Sequence, residues 1–157
     1  MVEATTLRGH APGPIEIRPV VHGSDVFERV VALRTAVLRE PLGLSYRAED
    51  LAAEHDQFHL AAFLTEIPIA SVILQWLPDN LAKMRQMAVD PAHQRTGLGA
   101  RLVGVLETEA LQRGVQTIIL HARESALGFY LRLGFEAQGE SFTEVGLPHR
   151  RMEKSLR

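Results

Sequence analysis

Met84-Arg85-Gln86-Met87-Ala88-Val89-Asp90-Pro91-Ala92-His93-Gln94-Arg95-Thr96-Gly97-Leu98-Gly99-Ala100 is the stretch that decides the fold. It reads as a strand, a tight turn and the first turn of a helix. Asp90-Pro91 stops the strand, because proline has no N–H to give a ladder and fixes its own φ. Gly97 and Gly99 leave the helix entrance without Cβ bulk, so a ligand can lie directly on the backbone. The first N–H groups of a helix have no partner within it and carry its positive dipole end. Arg95 adds a cation from the same loop. This pattern suits an anion, in particular a diphosphate. A kinase-type loop would need Gly-x-x-x-x-Gly-Lys-Ser/Thr, which is absent. A dinucleotide fingerprint would need a third glycine where Leu102 stands.

Upstream, residues 58–64, 69–77 and 81–89 are apolar runs separated by turns at Ile67-Pro68 and Pro78-Asp79-Asn80, an antiparallel meander feeding the central strand. Before them, residues 15–20 alternate like a strand closed by Pro19. Asp25, with Glu28 three residues on, suits a capping box. Val26, Val30, Leu33 and Val37 then space an amphipathic helix that ends before Pro41. Arg29, Arg34 and Arg39 lie off that stripe and read as a solvated face. A second short helix is expected over 47–54.

Downstream, Leu98, Leu102, Val105 and Leu106 form the apolar stripe of a helix closed by Arg113 and Gly114. Thr117-Ile118-Ile119-Leu120 is a β-branched strand, so the strands around Met87 and Ile119 should be parallel partners in a βαβ unit. A helix over 124–133, stopped at Gly134, and strands over 135–142 and 150–156 complete the chain.

The 157 residues are 46% hydrophobic, which implies one globular domain over 14–157 behind a flexible tail of residues 1–13. A formal net charge of −2 creates no field to attract nucleic acid or an anionic membrane surface. No apolar run approaches the roughly 20 residues of a membrane span. The absence of cysteine excludes disulfides, thiolate metal sites and cysteine nucleophiles. His55-x-x-x-His59 lacks a third ligand, so no metal is expected. A cytoplasmic location is the default expectation.

Gln94-Arg95-x-Gly97-x-Gly99 closely resembles the acetyl-CoA-binding motif of the GNAT superfamily, the general-control-related N-acetyltransferases. A second stretch, Ala126-Leu127-Gly128-Phe129-Tyr130-Leu131-Arg132-Leu133-Gly134-Phe135, resembles that family's Ala-x-x-Phe-Tyr-x-x-x-Gly-Phe segment. The element order also matches, so the resemblance covers nearly the whole chain after the tail. It implies an α/β (α+β) architecture: a mixed central sheet of about seven strands flanked by about four helices. It implies an acetyl-CoA-dependent N-acetyltransferase, passing the acetyl group to an amine of a small molecule or peptide by direct attack in a ternary complex. Homodimerisation is common among such proteins and is a further implication.

Carried over residue by residue, the resemblance gives Gln94, Arg95, Thr96, Gly97, Leu98, Gly99 and Ala100 to the pyrophosphate. It gives Met87, Ala88 and Val89 to pantetheine, with an amide at or near Ala88 for the oxyanion. Arg123 stands where the family often carries Asn, and Ser125 is a second polar candidate for the cofactor. Tyr130 would act as general acid on the leaving thiolate. For the base, Glu144 and His149 flank the Gly146-Leu147-Pro148 turn, and His149 has the pKa better suited to neutral pH. Glu54, His55 and His59 are the other candidates. An acyl-enzyme is not expected without cysteine or a Gly-x-Ser-x-Gly elbow. The acceptor should meet residues 34–44 and 144–150, whose arginines suit an acidic acceptor or ion pairs with Glu40, Glu49 or Asp50. The competing reading is a degenerate domain that binds CoA as a sensor or interaction module. Arg85 and Gln86, in place of a central-strand Glu, and Arg123 keep that reading open.

Overall fold

Strand alternation and turn chemistry build one seven-stranded sheet, ordered β1-β2-β3-β4-β5-β7-β6. The computed structural model describes residues 14–156, and the tail expected over 1–13 lies outside the described residues. The strands are β1 (Ile15–Pro19), β2 (Phe58–Leu64), β3 (Ile67–Leu77), β4 (Leu81–Val89), β5 (Thr117–Arg123), β6 (Glu136–Glu144) and β7 (Leu147–Ser155). Four α-helices are described: α1 (Asp25–Arg34), α2 (Ala48–Ala52), α3 (Leu98–Gln112) and α4 (Leu127–Arg132). Every neighbouring pair is antiparallel except β4–β5, which the crossover helix α3 makes parallel. Among the described residues no helix is long and apolar enough to cross a membrane.

One face of the sheet packs Leu74, Met84, Ile118 and Met152 against Leu98, Leu102 and Leu106 of α3 and Tyr130 of α4. The other face receives α1, whose Phe27 and Val30 bury against Ala61 and Phe63. Burying each such side chain contributes about 1.5–3 kcal/mol.

Several local readings are corrected. Ser24, not Asp25, caps α1: its hydroxyl accepts from the Phe27 N–H at 3.1 Å. The buried stripe of α1 is Phe27, Val30 and Arg34, so Arg34 is not on a solvated face. The helix also does not run on regularly towards Pro41. It widens into a π-helical turn at Thr35–Arg39 and a 3₁₀ turn at Glu40–Leu42, stopped by Gly43 at φ 71°. Pro68 lies inside β3 rather than in the turn, which is Thr65-Glu66 with φ of 49° and 68°. It faces Phe63 where the β2–β3 register shifts, a place that tolerates the missing N–H. On α3, Val103 is buried and Val105 is exposed. Glu144 and His149 sit at strand ends around a Val145-Gly146 turn, not in a long loop.

The decisive irregularity is in β4. Its register with β3 jumps from Ile73↔Arg85 to Ser71↔Ala88, so Gln86 and Met87 together oppose Val72. Gln86 takes the left-handed φ of 58°. The extra residue reverses the alternation: Ala82 and Met84 face the α3 core before the bulge, Met87 and Val89 after it. Beside it the β4–β5 ladder stops at Met84↔Leu120, and the two strands diverge.

Candidate active site

Where β4 and β5 part, a cavity of about 160 Å³ opens. Met84, Leu120 and Tyr130, which belong to the α3–α4 core, line it together with Arg39, His121 and Glu144. The opening therefore passes between the strands from one face of the sheet to the other. On the α1 side it adjoins a second cavity of about 330 Å³, with Arg39, Arg85 and Gln86 common to both.

At the far end of β4 the loop leads into α3. Gln94 donates from Nε2 to the Val89 carbonyl at 2.9 Å, and the Thr96 hydroxyl donates to the His93 carbonyl at 2.6 Å. These bonds fold the loop back on the strand end. Gly97 caps α3 at φ 84°, with open space where a Cβ would stand. The first intrahelical bond runs from the Arg101 N–H to the Gly97 carbonyl at 3.1 Å, so the earlier N–H groups have no helical partner. Arg95 is exposed at φ 63° with no carboxylate within 4 Å among the described residues. This is a backbone cradle that fits a diphosphate. Two of the sequence-picked residues differ from expectation. A Cβ on Gly99 would lie 3.1 Å from Cζ of Phe129, so the missing side chain makes room for the α4 ring. The Leu98 side chain is buried in the core, leaving only its backbone to the cradle. Ala100 is half-buried in the first turn of α3, and Ser125 is exposed in the 3₁₀ turn before α4.

Tyr130 is buried among Phe129 and Phe135, with ring centroids 4.9 and 5.8 Å away. No described residue hydrogen-bonds its hydroxyl, and burial pushes its pKa up to about 12. Its position is set by α4, whose apolar residues dock on the core. Arg123 is half-buried and donates to the Leu38 carbonyl at 3.2 Å, tying β5 to the π-helical turn. His149 is buried; its Nδ1 donates to the Leu147 carbonyl at 2.9 Å, which leaves Nε2 unprotonated in the neutral ring.

The cavity also gathers residues that the sequence reading passed over. His121 Nδ1 lies 2.9 Å from Glu144 Oε1, so the carboxylate fixes the tautomer and leaves Nε2 with its lone pair. Both residues line the same opening as Tyr130. Continuing the alternation of Thr117-Ile118-Ile119-Leu120 by one residue would have found His121. Tyr46, whose hydroxyl donates to Gln86 Oε1, had no such signal. The guanidinium groups of Arg34 and Arg39 both lie over its ring, 4.6 and 4.7 Å from the centroid.

Behind Tyr46, Arg34 makes a two-pronged ion pair with Glu54 at 2.9 and 2.8 Å. Burial would lower the Arg34 pKa, but hydrogen bonds and charge from Glu54 and Tyr46 raise it above its ordinary value. His59 anchors the same corner, its Nε2–H donating to the Glu54 carbonyl at 3.0 Å; burial lowers its pKa. Glu54 and His59 are thus structural partners, and His55 is exposed and absent from both cavities. Arg85 donates to Gln57 Oε1 at 2.7 Å and lies 4.0 Å from Glu54. Among the described residues no group of three or more acidic, His or Cys side chains is arranged to hold a metal.

The chain matches known proteins along most of its length. A family model described as an acetyltransferase (GNAT) domain matches residues 44–156. The uncharacterised N-acetyltransferase YitI of Bacillus subtilis (strain 168) is 33% identical over 107 residues, 64% of this chain and 72% of that one. In fold, an acyl-CoA N-acyltransferase from Pseudomonas aeruginosa superposes with a TM-score of 0.77 at 21% identity, over 90% of this chain and 99% of that one. An aminoglycoside 6'-N-acetyltransferase complexed with coenzyme A gives 0.76 at 17% identity, over 90% and 97%.

Proposed function

Since the chain belongs to the GNAT acetyltransferase family, we propose that it is an acetyl-CoA-dependent N-acetyltransferase acting by direct attack of an amine. The observation that carries this is the opening between β4 and β5 above Tyr130, with the Gly97-capped N-terminus of α3, which has no side-chain cap, following the same strand. The backbone of residues 94–100, assisted by Arg95, holds the pyrophosphate. The unpaired edge of β4 beyond Met84, at Met87, Ala88 and Val89, holds the pantetheine arm, and an amide at or near Ala88 meets the oxyanion. Arg123 and Ser125 border the same arm.

In this reading the neutral amine forms the C–N bond as the C–S bond breaks. His121, oriented by Glu144, accepts the proton lost by the nitrogen at Nε2. Tyr130 faces the departing sulfur. With a pKa near 12, full transfer from its hydroxyl to a thiolate whose acid ionises near about 8.5 is uphill. Tyr130 therefore serves as a hydrogen-bond donor that stabilises the thiolate, which takes its proton from solvent. His149 Nε2 is a second acceptor within the cavity wall.

Calorimetric titration of acetyl-CoA into the wild type and into Gly97→Glu tests the cofactor assignment. Micromolar binding lost in the variant supports it; no binding of acetyl-CoA or CoA by the folded wild type overturns it. Replacing His121 with Gln should lower kcat about a hundredfold or more while acetyl-CoA affinity holds. An unchanged kcat would return the base to His149.

A further inference from the structure

We propose that the acceptor is a small amine carrying an anionic group, held by Arg39 and Arg85 in the cavity on the α1 side of the bulge. The inference rests on the acetyltransferase reading and names the substrate class. The 330 Å³ cavity, lined by Arg39, Ser45, Tyr46, Asp50, Glu54 and Arg85 among others, adjoins the strand gap directly. That volume is at the lower end of small-molecule sites.

The charges around it do not balance. Glu54 is taken by Arg34 at 2.8 Å, and Asp50 by Arg47 at 3.4 Å. Arg85 has only a neutral Gln57 oxygen and a carboxylate at 4.0 Å already held by Arg34. Arg39 has no carboxylate within 4 Å among the described residues; it lies on the Tyr46 ring, with one N–H on the Leu38 carbonyl at 3.4 Å. Arg123, which lines the adjoining strand gap, has the same carbonyl as its only hydrogen-bond partner among the described residues. Two guanidinium forks thus face the space an acceptor would fill, one of them pre-positioned by stacking, and guanidinium is the group best matched to carboxylate or phosphate. On the opposite side of the gap stand His121 and Glu144, suited to the amine end. A polycation would meet Arg39 and Arg85 in a space whose lining carboxylates, Asp50 and Glu54, are already paired with Arg47 and Arg34.

The test uses the full chain and follows CoA release. Its acceptors are glycine, alanine, aspartate, glutamate, γ-aminobutyrate and aminopropylphosphonate, set against the corresponding amides, butylamine and putrescine. The expected result is that anionic amines exceed their neutral counterparts by about tenfold or more in kcat/KM. Carboxylates against phosphonate shows which anion is read. Arg39→Gln and Arg85→Gln should shrink that ratio about tenfold to a hundredfold, mainly through acceptor KM, with Arg39→Lys recovering part of it. Acetyl-CoA titrated into each protein separates the two ideas. If acetyl-CoA binds but amides, butylamine or putrescine are preferred, or no anionic amine is acetylated, the anionic-acceptor assignment fails alone. If acetyl-CoA does not bind, the acetyltransferase reading fails and takes the assignment with it.

Discussion

The two sides of the strand gap are built in opposite ways. The α3 side is made of backbone: free N–H groups, two glycines and short hydrogen bonds within one loop, such as Gln94 to Val89 and Thr96 to His93. The α1 side is made of side chains brought from far apart, with Arg34 on Glu54, Tyr46 on Gln86, Arg85 on Gln57 and Arg123 on Leu38. A backbone cradle tolerates changes in its side chains and fails when space or φ changes. A side-chain network fails when one partner is removed, because the other is left buried and unpaired.

The largest effect should come from breaking the network. Arg34→Ala leaves Glu54 buried without its partner and should cost about 3–5 kcal/mol in equilibrium unfolding, while acetyl-CoA affinity stays near wild type. Arg34→Met with Glu54→Leu should lose far less, and a double mutant as unstable as the single would mean the pair is not the source. Next is Tyr130→Phe, which removes a hydroxyl with no described partner. Stability should change little, kcat should drop about a hundredfold, and acetyl-CoA KM should hold. No alkaline limb from this tyrosine should appear in the ordinary assay range, since its pKa is about 12.

The cradle side is sharpened by Gly99→Ala, whose Cβ would stand 3.1 Å from the Phe129 ring. The expected cost is about 1–3 kcal/mol, relieved when Phe129 is shortened to Leu in the same chain. A variant that keeps its stability but loses acetyl-CoA would restore Gly99 to the ligand. The smallest effect is the pH dependence set by His59. Burial lowers its folded pKa, so the unfolded chain binds the proton more readily. Its contribution is complete above the unfolded value near about 6.5 and is lost as pH falls. His59→Gln should flatten that acid-side slope in denaturation curves.

The same contrast explains what could be read before the structure. The places of Arg95 and Gly97 in the loop before α3, and of Tyr130 in the short helix after β5, are legible because local motifs carry them, and the meander and crossover follow from periodicity. Arg34 was misread as solvated because helical spacing says nothing about an acid twenty residues on. Ser24 lost to Asp25 because either residue type can cap, and only the chain's entry angle decides. No residue type marks the π-helical turn at Thr35–Arg39, which places Arg39 over Tyr46. Gly99 carried the motif but served Phe129, a contact thirty residues distant.

Gln86 has one more consequence. Because it is an added residue in β4, it works as a dislocation: the strand's inward and outward sides exchange at that point. No substitution can undo an error of counting. Replacing Gln86 changes what touches Tyr46; deleting it would leave Met87 and Val89 facing the core in the same register with β3, but would remove the bulge beside which β4 and β5 part. The length of this strand is therefore a stricter requirement than its composition. Variation in what the cleft accepts can arise by exchanging side chains around a fixed residue count.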